Sequence, residues 1–571
     1  MKQQILITAL SALVLSSCDN MSGFFKGETD NTAINNEGVY IAARDFSITP
    51  ANAYSDLFLD STAMEQFIQQ QKIGEEDARE IRNFYNERNY QYAWFASEGI
   101  TEHGRNFWNI YDSSIDSVNN KIDKHLDQRM DSLIMNDSIV IQNNDSALLR
   151  IELMLTKEFV HFAKVNGNNS NLFHDIIPTR KYDVMQMADS VLNKANQNEQ
   201  FNNKRLSALR DQLNKYYTIA KQGGWPLINL TSRSIKKGAS SPSIVEIKRR
   251  LMMTGDYNGN DTTAQYNDSL EVAIKSYQQR HGFNPDGNIS DSLVRTMNVP
   301  VETRIQQLLI NMNRLAWSPV NQQHNQLIEV NLPAYMLHVY ENNNKAFDMP
   351  VVVGKQGTHT TMFTGNLNQI VFSPYWNIPE SIVKNEILPA MQRDPNYLKK
   401  NNMEIVSQND SVPKIRQLPG KDNAMGRVKF LFPNNFDIYF HDTPNKSLFN
   451  QKDRALSHGC IRLADATRMT QYLLRNQSEW TPEKIQQAMN GNKEQTVVLQ
   501  NPVPVVITYL TAWVDDSGKL NFREDIYKHD EKTSKRMFTN SSYAALHHNQ
   551  PQHDTMRNND TANFNSRRNT R

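Results

Sequence analysis

Cysteine is nearly absent: 571 residues carry two, Cys18 and Cys460. A chain this poor in thiols cannot be a disulfide scaffold, so packing has to hold it, and 39% hydrophobic residues over this length allow about three or four ordinary cores. Charge of one sign is missing too. Lys+Arg 62 against Asp+Glu 61 leaves a net +1, which provides no field for nucleic acid as a partner. At the N-terminus the apolar run from Ile5 to Leu15 is too short for the ~20 residues that cross a bilayer.

What that run does offer is a secretory layout, with Lys2 before it and small residues after it. Leu15-Ser16-Ser17-Cys18 resembles the bacterial lipoprotein processing site, in which the cysteine is acylated and becomes the mature N-terminus. The resemblance implies a signal peptide over 1–17, membrane attachment through the lipid on Cys18, and a periplasmic chain. Residues 18–45, with Asn20, Ser22, Gly23, Asn31 and Asn35, read as a polar tether. With Cys18 consumed by lipid, Cys460 is an odd thiol in an oxidising compartment, which points to intermolecular pairing or to a nucleophile.

Residues 46–240 read as a helical scaffold domain. Amphipathic stretches cover 75–90, 148–165 and 206–222, and residues 112–145 read as surface helices with long polar joints. The histidines here, His103, His125, His161 and His174, lack metal-ligand spacing. From 241 to 298 a three-helix unit follows, its apolar faces made by Ile244, Ile247 and Leu251, by Leu270, Ala273, Ile274 and Tyr277, and by Leu293 and Met297. A connecting helix is expected within 299–325.

The pattern turns to β over 326–528. Leu327 to Tyr340, a turn at Asn342 to Asn344, and Ala346 to Val353 read as one long hairpin. Further strands are expected near Ile370–Phe372, Val428–Phe432, Phe436–His441, Thr496–Leu499 and Val503–Val514, with a last hairpin turning at Asp515 to Gly518. The proline-rich insertion of about 376–427 reads as a cap over a site. Residues 529–571 are expected to be a disordered tail, with His547, His548 and His553 solvated. The fold class is therefore α+β, multidomain.

Chemistry concentrates in Ser457-His458-Gly459-Cys460-Ile461-Arg462 and in His441, nineteen positions before the thiol. Strand alternation over Phe436–His441 sets Tyr439 and His441 on one face and Phe436, Ile438 and Phe440 on the other. A thiol needs an imidazole to hold its proton, and His441 serves if the intervening loop folds back. In an extended segment His458 shares the face of Cys460 and can orient the thiol or substrate. Gly459 lets backbone N–H groups approach an oxyanion, Tyr439 adds a phenolic donor, and Arg462 can grip a carboxylate. From the residues alone, a Cys/His acyl-transfer site stands against a structural cysteine in a strand. The His-before-Cys order argues against papain-like proteases.

Residues 241–298 resemble a peptidoglycan-binding-domain module in the order Ile247, Leu251, Gly255, Ala273, Tyr277-Gln278, Gly282-Phe283 and Asp286-Gly287. His441, fifteen intervening residues, then Ser457-His458-Gly459-Cys460 with Arg462 resembles the L,D-transpeptidase (YkuD) signature, and the whole layout is similar to the large YcbB type. Supporting stretches are Ser373 to Pro379, Pro419 to Arg427, and Thr511 to Asp515. The resemblance implies a cell-wall transferase. Cys460 attacks the carbonyl of the third stem residue and expels D-alanine, and the thioester is passed to the side-chain amine of another peptidoglycan stem peptide. It implies His441 as base and acid, Asp442 orienting its ring, Ser457 and Gly459 shaping the turn, and Arg462 and Trp376 facing substrate. No metal or organic cofactor is required, and carbapenems are expected to acylate the thiol. A hydrolase on the same fold (an L,D-carboxypeptidase or a wall-protein-releasing enzyme) and a non-catalytic wall-binding lipoprotein stand as alternatives.

Overall fold

The computed structural model describes residues 32–34, 40–114, 124–135, 141, 145–165, 177–194, 204–317, 325–408 and 411–539. Cys18, its signal segment and everything beyond residue 539 lie outside them.

Helices form where the apolar period of the N-terminal half predicts them, over Glu75–Asn86, Ser146–Val165 and Lys204–Lys221. They enclose an aromatic core around Trp94, whose ring stacks on Phe107 (centroids 5.1 Å apart) and meets Phe159 edge-on at 5.2 Å. Helix Lys124–Met135 adds Leu126, Met130 and Ile134 to the same core. The three-helix unit follows at Pro242–Thr254, Asp268–Arg280 and Asp291–Met297. Each helix starts on a side-chain cap, from Ser241, Asn267 and Ser290, which satisfies backbone donors that a helix start leaves open. Every apolar residue that periodicity assigned to this unit is buried in its core.

Helix Val301–Ala316 is buried on all sides, with only Glu302 exposed. Its polar residues therefore need partners inside the protein. Asn311 Nδ2 donates to Thr511 Oγ1 (2.7 Å) and Asn311 Oδ1 accepts from Thr511 N–H (2.9 Å), while Arg314 pairs with Glu102 and with Asp530 (2.5 Å). Asp530 belongs to a helix, His529–Met537, in a stretch expected to be disordered. For residues 529–539 that expectation fails because Met537 and Phe538 enter the scaffold core and Asp530 answers a buried guanidinium, none of which the polar composition of the segment reveals. The expected catalytic unit 326–528 is also too generous. Leu510, Ala512, Leu520 and Phe522 of the last hairpin pack into the scaffold core rather than into the sheet's own.

Nine strands make the main sheet: β1 (Gln326–Asn331), β2 (Met336–Glu341), β3 (Asn344–Gly354), β4 (Thr364–Phe372), β5 (Val428–Leu431), β6 (Phe440–His441), β7 (Ala455–Ser457), β8 (Ile461–Leu463) and β9 (Gln495–Thr508). Their order is β7-β3-β8-β6-β5-β4-β9-β1-β2, and an added β2–β3 pairing closes it on itself. The expected single hairpin over 327–353 is a three-strand meander. Pro333 lies in a 3₁₀ turn, Leu332–Ala334, and Tyr335 takes the left-handed conformation (φ 53°), so the chain reverses inside what reads as one strand. Conversely, the two stretches expected at 496–499 and 503–514 form one strand, β9, up to Thr508.

Two outcomes follow. Arg314→Leu leaves Glu102 and Asp530 buried without their cation and is expected to cost about 3–5 kcal/mol in urea unfolding followed by helical circular dichroism. His103 is buried with Tyr54 OH on Nδ1 (2.9 Å) and no partner for Nε2 among the described residues. Burial, then the charges of Arg88 and Arg536, push it from 6.5 down to about 3. The unfolded chain thus takes up a proton below pH 6.5 that the folded chain refuses until about pH 3. Stability is expected to fall as pH drops through this window, and less steeply in His103→Gln.

Candidate active site

Strand β6 pairs in parallel with β8, Phe440 opposite Ile461 and His441 opposite Arg462. One rung earlier, Ile461 N–H donates to Tyr439 O (3.1 Å). Phe440, Ile461 and Leu463 point into the sheet core and are fully buried. Alternation therefore turns Tyr439, His441, Cys460 and Arg462 to the other face together. Two segments nineteen residues apart thus become neighbouring rungs of one ladder.

The turn before Cys460 is built from inside. Ser457 Oγ accepts from Gly459 N–H (3.1 Å) and donates to Cys460 O (2.6 Å). Gly459 sits at φ 117°, a region L-residues rarely enter, and its carbonyl accepts from Thr360 Oγ1 (2.6 Å). These bonds correct two expectations. The Gly459 N–H faces the Ser457 hydroxyl instead of an open oxyanion position, and the N–H that accepts no such claim among the described residues is that of Cys460. Positive φ at Gly459 also breaks the extended alternation, so His458 turns outward, with Nε2 3.9 Å from Glu386 Oε1.

His441 is buried, and its Nδ1 lies 2.6 Å from Asp442 O. A carbonyl only accepts, so Nδ1 carries the hydrogen and Nε2 keeps its lone pair. The Asp442 backbone orients the ring; its carboxylate is occupied elsewhere, by Lys446 Nζ (2.7 Å) and Arg427 N–H (3.0 Å). Burial, then the Arg462 charge, pushes His441 from 6.5 down to about 3. Burial likewise raises the Cys460 thiol, partly offset by the backbone N–H and phenol of Tyr439. The resting pair is a neutral imidazole and a neutral thiol, not the ion pair that the motif suggests. The thiol lies 3.5 Å from Asp437 O. Burial also holds the Tyr439 phenol well above its ordinary range, so it stays a donor, placed 3.4 Å from Met425 Sδ. Arg462 is largely desolvated, and its buried Nε has no hydrogen-bond partner among the described residues.

The insertion folds over this face on its own small core of Ile378, Val383, Ile387 and Ile415. Trp376, expected to face substrate, packs against that core and pairs with Gln417 in a short sheet with Met403–Ser407 and Lys414–Gln417. Both stems of the cap meet where Ser373 N–H donates to Arg427 O (2.9 Å). Gly426 (φ 63°) lies against Asp442 so closely that a Cβ would stand 2.5 Å from its carboxylate. Met425, Gly426, Asp437 and Thr360 were not singled out as site residues in the sequence. Gly426 was within reach, since Gly426-Arg427 is a supporting motif; Asp437 acts through its backbone carbonyl, and Thr360 Oγ1 and Met425 Sδ meet the site from distant segments, so none of the three leaves a local pattern. Among the described residues no cluster of His, Cys, Asp and Glu could hold a metal.

Residues 325–507 match the family model described as L,D-transpeptidase catalytic domain (YkuD), residues 79–219 match one described as scaffold domain, and residues 240–297 match one described as "Putative peptidoglycan binding domain". A relative from Haemophilus influenzae, named "Putative L,D-transpeptidase", is 32% identical over 243 residues, 40% of this chain and 48% of that protein. The match thus spans about half of the relative's length. Among solved structures, the L,D-transpeptidase from Stackebrandtia nassauensis is 14% identical over 49% of this chain and 97% of its own, with a TM-score of 0.21. LD transpeptidase LdtMt1 in complex with imipenem is 13% identical over 32% of this chain and 59% of its own, with a TM-score of 0.18. Superpositions this loose carry no argument about the site.

Gly426→Ala is expected to force the Met425–Arg427 segment off Asp442 and to strain a left-handed residue. A loss of about 1–3 kcal/mol in stability and a slower reaction of Cys460 with a thiol-directed acylating agent are the expected outcomes, read by urea unfolding and intact mass.

Proposed function

We propose that this chain, which carries an L,D-transpeptidase catalytic domain behind a scaffold domain and a peptidoglycan-binding domain, cross-links peptidoglycan stem peptides through a thioester on Cys460. The observation that carries the reading is the β6–β8 register. It sets the thiol of Cys460 on the same face of one ladder as His441, whose Nδ1–H is tied to Asp442 O so that Nε2 carries the lone pair.

In the first half-reaction the Cys460 side chain rotates from Asp437 O toward His441, which removes the thiol proton as sulfur attacks the carbonyl of the third stem residue. Because both groups rest uncharged, proton transfer accompanies attack instead of preceding it. The developing oxyanion is met by the Cys460 N–H and the Tyr439 phenol, both fixed before substrate arrives. His441 then hands the proton to the nitrogen of the leaving D-alanine as the C–N bond breaks. In the second half-reaction the side-chain amine of another stem attacks the thioester. His441 takes a proton from that nitrogen and returns it to sulfur as the C–S bond breaks. Arg462 fits a substrate carboxylate: its guanidinium is desolvated, stands beside the nucleophile and keeps Nε unpartnered among the described residues. A cap that excludes water favours the amine over hydrolysis.

The substrate class agrees with residues 240–297 as a wall-directed module and places the protein in the periplasm or cell wall. Among the described residues no helix is long and apolar enough to cross a membrane. Attachment through a lipid on Cys18 is part of the proposal, and it is tested by whether Cys18→Ala leaves the protein in the membrane fraction. The carbapenem ring presents the same electrophile as the stem peptide, so Cys460 is the expected point of acylation.

The deciding experiment incubates the protein with purified tetrapeptide muropeptides and follows products by mass spectrometry. Dimers and free D-alanine are expected from the wild type, and a fall of about a thousandfold or more in Cys460→Ala and His441→Ala. Free tripeptides without dimers would instead identify a hydrolase. Intact mass after imipenem is expected to rise by one adduct that Cys460→Ala abolishes.

A further inference from the structure

Cys460 has polar groups on two sides. Arg462 and His441 share its strand face, while His458 leaves the turn in the opposite sense and reaches the cap. What it meets there is Glu386, in a single π-helical turn, Val383–Ile387, whose end residues are buried in the cap core. A π-turn bulges the backbone of a helix, and such bulges recur at functional sites. Here the bulge projects an exposed carboxylate over the nucleophile's own motif, with Glu386 59% and His458 46% exposed. No hydrogen bond or closer ion pair engages that carboxylate among the described residues. Lys355 is the cation that weighs most on His458; its backbone N–H donates to Ser457 O (2.9 Å), and its side chain is exposed and carries no ion pair among the described residues.

We propose that Glu386, His458 and Lys355 form the acceptor subsite, which binds a free amino-acid head group: its ammonium on Glu386, its carboxylate on Lys355, and its surplus proton on His458. This rests on the transferase reading above and names the acceptor side of it. An acceptor arrives as an ammonium, which has no lone pair and cannot attack a thioester. One proton has to leave before the reaction, and a second as the C–N bond forms. His441 serves the second, passing it to the departing sulfur. It is poorly suited to the first, since it is buried and its one lone pair is needed for the proton passed to sulfur. His458 is open to solvent, so it can take the first proton from the ammonium and release it to water. Burial, then Lys355, lowers its affinity for a proton, so at neutral pH it is an acceptor. The ledger balances: ammonium and thioester give amide, thiol and one proton released through His458. A carboxylate and a lysine flanking one imidazole match the two charges of an amino-acid head group and not those of a bare amine.

The test separates the two half-reactions in the full chain. Protein is acylated with tetrapeptide muropeptide and then given D-norleucine or pentylamine, which differ by the carboxylate. Thioester, amide and hydrolysed products are counted by mass spectrometry. Glu386→Gln and His458→Gln are expected to acylate at the wild-type rate and to transfer to D-norleucine about tenfold more slowly, the scale of one charge-assisted contact, with hydrolysis unchanged. Lys355→Met is expected to erase most of the wild-type preference for D-norleucine over pentylamine. Equal aminolysis in Glu386→Gln and the wild type overturns the subsite. So does a parallel loss of aminolysis and hydrolysis, which would mark a cap defect. A wild-type chain that forms no thioester at all overturns the transferase reading and the subsite with it, whereas a thioester with unaltered transfer in the variants overturns the subsite alone.

Discussion

The site depends on one pairing, the two-rung parallel ladder between β6 and β8. Everything that the chemistry needs is a neighbour across or along that ladder: Tyr439 beside Cys460, His441 beside Arg462. A shift of one residue would send the imidazole to the core face and a phenylalanine to the thiol. The register is held by what lies on its other side. Phe440, Ile461 and Leu463 are fully buried in the sheet core, where a slip would place His441 and Arg462 in apolar surroundings.

A second node, Asp442, ties the ladder to the cap. Its carbonyl fixes the His441 tautomer, its N–H donates to Val428 O (2.9 Å), and its carboxylate holds Lys446 and the Arg427 N–H. The close approach of Gly426 brings the C-terminal stem of the cap onto the same residue. The cap and His441 are thus tied together at that point, while the far side of the cap approaches the motif at Glu386, 3.9 Å from His458.

Much of this was legible in the sequence, and for physical reasons. Cys460 and His441 stand out by residue type and spacing, and the shared face of Tyr439 and His441 follows from strand alternation. The three-helix core follows from period and capping residues, each of which acts within a few positions. What escaped was non-local. Helix His529–Met537 is polar in composition and is held by Arg314, a residue more than two hundred positions away. The reversal at Pro333 and Tyr335 hides in a stretch of strand-forming residues. The outward turn of His458 depends on one backbone angle at Gly459. A thiolate–imidazolium pair is disfavoured by burial, which acts against the charged form of both groups, and on His441 by the Arg462 charge as well, none of which a motif can express.

The charge state of that pair is the most direct point of test. Ultraviolet thiolate absorbance, taken as the wild type minus Cys460→Ala, reports the Cys460 sulfur alone across a pH series. The account predicts no thiolate near neutral pH, with the signal rising only above the ordinary thiol value of 9.0, because burial raises the thiol and His441 stays uncharged. Thiolate absorbance already present near pH 6 to 7 and abolished by His441→Ala would contradict it, since that would mean a preformed ion pair rather than a base that acts as sulfur attacks.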